Sequence, residues 1–411
     1  MKNIWRSGII FTAANLFVGM GNVLFQIIIG HRLATGEFGL VNTTIGFMGL
    51  LGLPMAIATT AITHYIARFN FSGDDARLRD LLAGCHKFLL RLTIGGSLLA
   101  ILLAKPLSDF FHFPRLGLMV IALVSVLAGL WGGFATALCQ GLGWFKRLAL
   151  ISILTVTLRL LFGALTTGKF PNADWAVTAT GVSTLSFAVL LFWKQELTWP
   201  GKAAVSPWDG EFIQFLIVAA AFTGGQWCFT QGDLLVISRH KFLAADQDAY
   251  TAAGVFARSL PMTVAPLLTV LFTHRSAAHT HGREAVREQF KLLGLYGLGL
   301  VVGAAGLLGL HAFWLGLIHK NTPAANAMIT PLVWTMVSVG LIQAFAWWAL
   351  ASRWLKLALL YGALGLSYWL TLMLMGNTPD NLLRIMPGAA ALAMALLFTG
   401  WFLTLRKAAK I

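Results

Sequence analysis

The chain is short of charge: 11% of its 411 residues are Asp, Glu, Lys or Arg, against about 25% in an ordinary soluble domain. So little charge cannot clothe a monomeric globule in water, which excludes a soluble protein. Cysteine is scarce too. Cys85, Cys139 and Cys228 stand singly in or beside apolar segments, with no CxxC or paired ligand spacing, and read as packing residues. There is no Walker lysine loop, no HExxH and no GxSxG elbow, so no catalytic set and no cofactor site is expected. Glycines such as Gly49 and Gly52 lie inside apolar runs, where close helix packing is their ordinary use. His274, His279 and His281 cluster without a carboxylate at ligand spacing, which favours a surface role over a metal site. A net charge of +15 raises the question of nucleic acid, but no basic helix or aromatic-interleaved basic segment stands outside the apolar runs, so no nucleic-acid partner is expected.

What the chain has in abundance is apolar length. Hydrophobic residues make up 58% of it, in runs of about 20 or more residues, enough to cross about 30 Å of hydrocarbon as a helix. Uninterrupted runs argue against the alternating strands of a barrel. We therefore expect an all-α polytopic membrane protein with twelve spans, at 8–31, 40–67, 83–104, 116–139, 147–167, 174–193, 212–238, 247–274, 289–310, 325–350, 355–374 and 383–404. The first run follows only Lys2 and Arg6 and lacks a cleavage site, so it reads as a retained span.

The segment Arg32 to Arg68 returns in altered form as Arg239 to Arg275, with Leu53-Pro54-Met55 falling on Leu260-Pro261-Met262 at an unchanged offset of 207 residues. The chain thus reads as a duplication of six spans plus six, parallel repeats related by an axis along the membrane normal. Expected domains are an N-terminal lobe at 1–195, a cytoplasmic interfacial linker at 196–211 broken by Pro200 and Pro207, and a C-terminal lobe at 212–411. With the N-terminus inside, twenty Lys and Arg face the cytoplasm and eight face out, which places both termini in the cytoplasm. The stretch from Arg68 to Arg91 is expected to form a short amphipathic cytoplasmic helix before the third span.

Polar residues inside spans are expensive and therefore informative. Arg159 lies about twelve residues into its span, too deep to snorkel easily, and Arg258 lies within the eighth. Each guanidinium either lines a polar cavity, where its planar donors can hold phosphate bidentately, or pairs with a carboxylate, for which Asp233 is the one deep candidate. Asp233 falls by the repeat offset on Gln26. Gln226 and Asp233 share a face of the seventh span, with Gln231 to one side. Together with Asn15, Asn22 and Gln26 of the first span they suggest a shared hydrophilic cavity, although any one alone reads as an interhelical hydrogen bond. Pro54, Pro261 and Pro266 interrupt spans where bending would serve gating, and Pro54 and Pro261 are a matched pair.

With twelve spans as six plus six, IIIGHRLATGEFGLVNTTIGFMGLLGLPMAIATTAITHYIARF early and DAYTAAGVFARSLPMTVAPLLTVLFTHRS late, the chain resembles the multidrug/oligosaccharidyl-lipid/polysaccharide (MOP) exporter superfamily, with its MATE-like fold. The likeness is nearest to the polysaccharide-biosynthesis branch, the O-antigen flippases of the bacterial inner membrane. Arg32, the turn Glu37-Phe38-Gly39, Ala67-Arg68 and Tyr250 to Arg258 carry it. Leu33-Ala34-Thr35-Gly36 departs from the branch's Leu-Gly, and the two further C-terminal spans of many members are absent. The resemblance implies alternating access, with a lipid-linked oligosaccharide diphosphate as cargo, its tail in membrane lipid, and polymerase or ligase partners of glycan assembly. Arg32, Arg159 and Arg258 would meet the diphosphate, and Asn22, Gln26, Gln226, Gln231, Trp227 and Trp334 the sugars. An Na+ or H+ gradient, or consumption of the product outside, would drive it. The alternative is a cation-coupled multidrug or small-molecule exporter with Asp233 binding the cation, and a third reading is a non-transporting envelope assembly scaffold.

Overall fold

The computed structural model describes residues 2–192, 210–277, 283–351 and 354–408. Its described elements are all helical: α1 (Lys2–Arg32), α2 (Glu37–Ser72), α3 (Asp75–Phe110), α4 (Leu116–Gly141), α5 (Phe145–Lys169), α6 (Ala173–Phe192), α7 (Gly210–Thr230), α8 (Gly232–Arg239), α9 (Ala244–Ala277), α10 (Arg283–Gly309), α11 (His311–Leu317), α12 (Pro323–Ala351), α13 (Leu355–Met375) and α14 (Pro379–Ala408). Among the described residues ten helices are long and apolar enough to cross a membrane, which makes this a multi-pass all-α membrane protein. The ten correspond to the expected first to sixth and ninth to twelfth spans. The seventh is divided between α7 and α8, whose apolar stretch Leu216–Thr230 is short. The eighth coincides with α9, which carries Asp246, Asp248 and Arg258 and is not among the ten. The expected linker at 196–211 lies almost wholly outside the described residues, as do His279 and His281 and the side chains of Pro266 and His274.

The chain divides into two compact units, Met1–Ala220 and Ala221–Ile411. The boundary falls within α7 because Leu216 packs on the first unit's cluster of Met55, Ile62, Tyr65, Leu82, Phe134 and Leu138. In the first unit α4 packs against α2, α3 and α6, and α5 against α1 and α6; in the second α12 packs against α9, α10 and α14, and α13 against α8 and α14. The same order is thus built twice.

The 207-residue offset reaches beyond the Leu-Pro-Met match. It separates the starts of α2 and α9 at Glu37 and Ala244, the ends of α3 and α11 at Phe110 and Leu317, and the starts of α4 and α12 at Leu116 and Pro323. It also separates His112 and His319, non-glycine residues with φ of 54° and 58°. Each sits in a left-handed helix stop. Phe113 N–H donates to the Ser108 carbonyl and Lys320 N–H to the Leu315 carbonyl, both at 2.9 Å, returning the chain after the last turn.

Beside these stops each unit ties its helices with charge. Arg115 reaches Glu37 at 2.6 Å and Asp174 at 3.0 Å, and Lys320 reaches Asp248 at 3.0 Å. The Glu37 hydrogen bond, ahead of the Asp174 charge, holds the Arg115 proton more tightly than usual. At the other end, α2 and α3 each run 36 residues, roughly 54 Å, so their junction stands clear of the hydrocarbon. The expected separate helix between Arg68 and Arg91 is absorbed here. Gly73, in the left-handed region at φ 69°, closes α2, Asp74 accepts from Arg77 N–H at 3.1 Å to open α3, and α3 then continues unbroken into the membrane.

One close approach positions the functional region of the second unit. A Cβ on Gly365 of α13 would lie 2.6 Å from the Gly225 Cα of α7, and one on Gly362 would lie 2.6 Å from the Ala221 carbonyl. Small residues let the two backbones touch. Gly365→Val is therefore expected to destabilise the detergent-solubilised protein by about 1–3 kcal/mol. Gly388→Val, whose Cβ meets nothing within 4 Å, should leave the melting temperature nearly unchanged.

Candidate functional site

Each unit carries one polar centre within its apolar helices. In the second it forms where the seventh span breaks. α7 stops at Thr230, Gln231 turns aside with φ −137° and ψ −12°, and α8 starts at Gly232. A break in a membrane helix frees carbonyls that need donors, and side chains supply them. Arg258 Nε donates to the freed Thr230 carbonyl at 2.9 Å, and Trp369 Nε1 braces the start of α8 through the Gly232 carbonyl at 3.0 Å. Gln226 and Asp233 therefore lie on separate helical segments, which corrects the shared-face expectation. The shared face requires a continuous seventh span, and a donor from α9 satisfies the carbonyl that its break exposes.

Asp233, 1% exposed, lies just beyond the break. Its Oδ2 accepts from Tyr250 Oη at 2.5 Å and pairs with Arg258 Nη2. Tyr250 and Arg258 are eight residues apart on α9, so both point from one face of that helix. The Tyr250 hydroxyl also lies 3.0 Å from Met386 Sδ of α14. A buried ionised carboxylate needs such a partner, since losing one member of a buried pair costs about 3–5 kcal/mol. Asp233 Oδ1, in contrast, is buried with no hydrogen-bond partner among the described residues, and so is the hydroxyl of Tyr368.

The first unit has a neutral counterpart. Gln26 Nε2 donates to Asn42 Oδ1 at 2.9 Å, and Asn42 Nδ2 donates back to Gln26 Oε1 at 3.3 Å. Asn42 also donates to the Phe38 carbonyl at 3.1 Å. The amide pair joins α1 to α2 much as Asp233 and Tyr250 join α8 to α9. One turn away on α1, Asn22 Oδ1 accepts from Arg159 Nη1 of α5 at 2.9 Å, and the Arg159 guanidinium lies 4.0 Å over the Phe25 ring. Arg159 has no carboxylate partner among the described residues, and its Nε is buried without an acceptor.

The other expected site residues are dispersed. Arg32 donates to the Ala164 carbonyl of α5. Trp227 is buried against Trp369, ring centres 5.8 Å apart. Trp334 is exposed on α12, and Gln226 and Gln231 are half-buried. Pro54 and Pro261 each stand seventeen residues after the first residue of their helix, α2 and α9. Asn42 and Trp369 were not read from the sequence, nor was Tyr250 as the partner of Asp233. The eight-residue spacing of Tyr250 and Arg258 was the available signal; Asn42 looked like one polar residue in an apolar run.

No protein-family model and no curated protein matches the sequence. Solved structures do match in fold. An inward-facing multidrug-resistance MATE family transporter of the MOP superfamily superposes with TM-score 0.66 at 13% identity, over 98% of this chain and 99% of the other. A MOP superfamily transporter from Pyrococcus furiosus, described as having a binding pocket of reverse polarity that suggests a different function, gives 0.64 at 12% over 98% and 95%. A Vibrio cholerae MATE transporter carrying an Asp-to-Asn substitution gives 0.59 at 15% over 99% and 98%. The fold resembles that of solved MATE transporters. The O-antigen flippase branch draws no support from these likenesses.

Proposed function

We propose that the chain is a cation-coupled exporter of small amphiphilic molecules, working by alternating access in a bacterial inner membrane, with the two units as its lobes and both termini cytoplasmic. The solved transporters of this fold that are named for multidrug resistance support the class. The observation that carries the coupling is the unpartnered Oδ1 of Asp233 beside the loaded Oδ2. A proton on Oδ1 neutralises the carboxylate and leaves Arg258 without its counter-charge, a change worth about 3–5 kcal/mol in an apolar setting. That approaches the ~5.5 kcal/mol needed to carry a two-state equilibrium from 1:99 to 99:1. A proton suits the centre better than Na+. One free carboxylate oxygen and one tyrosine hydroxyl are too few ligands for a sodium ion, and the adjacent guanidinium repels it.

In proteoliposomes, an imposed pH gradient is expected to drive a fluorescent amphiphilic dye against the proton flow, with loss of transport on adding a protonophore and none on an Na+ gradient alone. Dye movement indifferent to the pH gradient would overturn the coupling. Impermeant thiol reagents should fail to label cysteines introduced at Lys2 or Lys410 in intact cells; labelling at either would reverse the orientation.

A second reading is favoured by Arg159, whose partners are an amide and a ring rather than an acid. A guanidinium so placed attracts an anion, and a lipid-linked oligosaccharide diphosphate supplies two phosphates for its planar donors. Headgroup translocation of such a lipid in dye-inactive vesicles would establish this cargo in place of the first.

A further inference from the structure

We propose that the end of the second unit holding the last turns of α14 binds an anionic phospholipid, with its phosphate on Arg406 and an acyl chain along the ridge of Phe402 and Phe398. The positive-inside balance places this end in the inner leaflet. The three residues are spaced by four on α14, so they form one stripe down the helix. Phe398 and Phe402 are nearly parallel, 17° apart with centres at 6.2 Å, and the Arg406 guanidinium lies 4.4 Å over the Phe402 ring.

The ridge is held rigidly from behind. Trp401 and Trp348 are buried and cross at 89° with centres 5.4 Å apart. Phe345 lies 5.2 Å from Trp401, and Phe290 of α10 lies 5.5 Å from Trp348. Phe290, Phe398 and Phe402 nonetheless remain 43%, 46% and 38% exposed. Rings fixed on one side and open on the other suit a hydrocarbon chain.

Charge chooses the headgroup. Arg406 is exposed and makes no ion pair among the described residues, and its guanidinium lies over the Phe402 ring at the head of the ridge. A guanidinium fork meets a phosphate bidentately. Lys356, also exposed, begins α13 at the same end, where a Cβ on Gly400 of α14 would lie 3.0 Å from the neighbouring Leu357. Two cations at the headgroup level favour phosphatidylglycerol over phosphatidylcholine.

The test places the full-length protein in nanodiscs of mixed phosphatidylglycerol and phosphatidylcholine and counts retained lipids by native mass spectrometry. Native protein should retain phosphatidylglycerol preferentially, and Arg406→Gln should lower that preference about fivefold. Phe402→Leu, which keeps the charge but not its ring, should fall between. Arg406→Lys, which keeps charge without the fork, should do the same and stands in if Arg406→Gln cannot be purified. Arg384→Gln, at the opposite end of α14, should change nothing. Equal retention in native protein and Arg406→Gln, an equal loss in Arg384→Gln, or displacement of the lipid by excess inorganic phosphate would each overturn the proposal.

Discussion

Asp233→Asn protein is expected to lose gradient-driven export by more than about tenfold and to melt well below the native protein, because Arg258 is left buried without its counter-charge, at about 3–5 kcal/mol. The lost stability alone would prove nothing about coupling. The informative protein is the double variant Asp233→Asn with Arg258→Leu, in which no charge is stranded. Replacing a buried pair by neutral groups is often neutral or stabilising, so its melting temperature should rise above that of Asp233→Asn, held short of the native value by the Thr230 carbonyl that loses its Arg258 donor, while coupled transport stays lost. Recovery of gradient-driven transport in the double variant would reduce Asp233 and Arg258 to a structural clamp.

Arg159→Ala is expected to fold and insert normally and to lose at least about tenfold in translocation of an anionic cargo, the scale of a charge-assisted hydrogen bond. Normal folding is expected because Arg159 leaves no acid behind: its described partners are Asn22 and the face of Phe25. Arg159→Lys keeps the attraction but not the planar fork, so its rate should lie between the two. Rates are to be taken per folded protein, for lipid-linked diphosphate sugar and for cationic dye in parallel. Faster dye movement in Arg159→Ala would mean that the guanidinium repels that cargo and does not select it. Equal rates for both cargoes in native protein and Arg159→Ala would remove Arg159 from the transport path.

Most of the architecture was legible because hydrophobic length is written directly in the chain. Ten of the twelve expected spans coincide with helices long and apolar enough to cross a membrane, and a single offset relates the helix starts of the two halves. Where sequence and structure differ, a local signal is outweighed by a distant one. Within the apolar run from Gly210 to Arg239 the polar Thr230-Gln231-Gly232-Asp233 is the local mark of a break, but the donor that takes the freed Thr230 carbonyl, Arg258, arrives from α9. The polar stretch around GDDARLRD suggested a separate helix, whereas Gly73 and Asp74 make one tight turn between two long helices. Arg159, Arg258 and Asp233 were recognisable as costly residues, but partner choice was not. Arg258 took the acid, and Arg159 settled on an amide and a ring.

The break at Gln231 also bears on why charge is found in the second unit and not at the matched place in the first. A helix carries roughly half a positive charge at its start and half a negative charge at its finish. Ending α7 at Thr230 and starting α8 at Gly232 brings both poles into the apolar interior. Asp233 then lies in the first turn of α8, beside a positive pole, and Arg258 Nε meets the last carbonyl of α7, at a negative one. Each charge is matched by backbone as well as by the other, in the manner of half-helices that face ions in transporters. Gln26 stands inside the unbroken α1, Lys2–Arg32, far from its positive pole and nearer its negative one. An acid there would have no helix start to steady it, and a neutral amide paired with Asn42 is what the first unit carries.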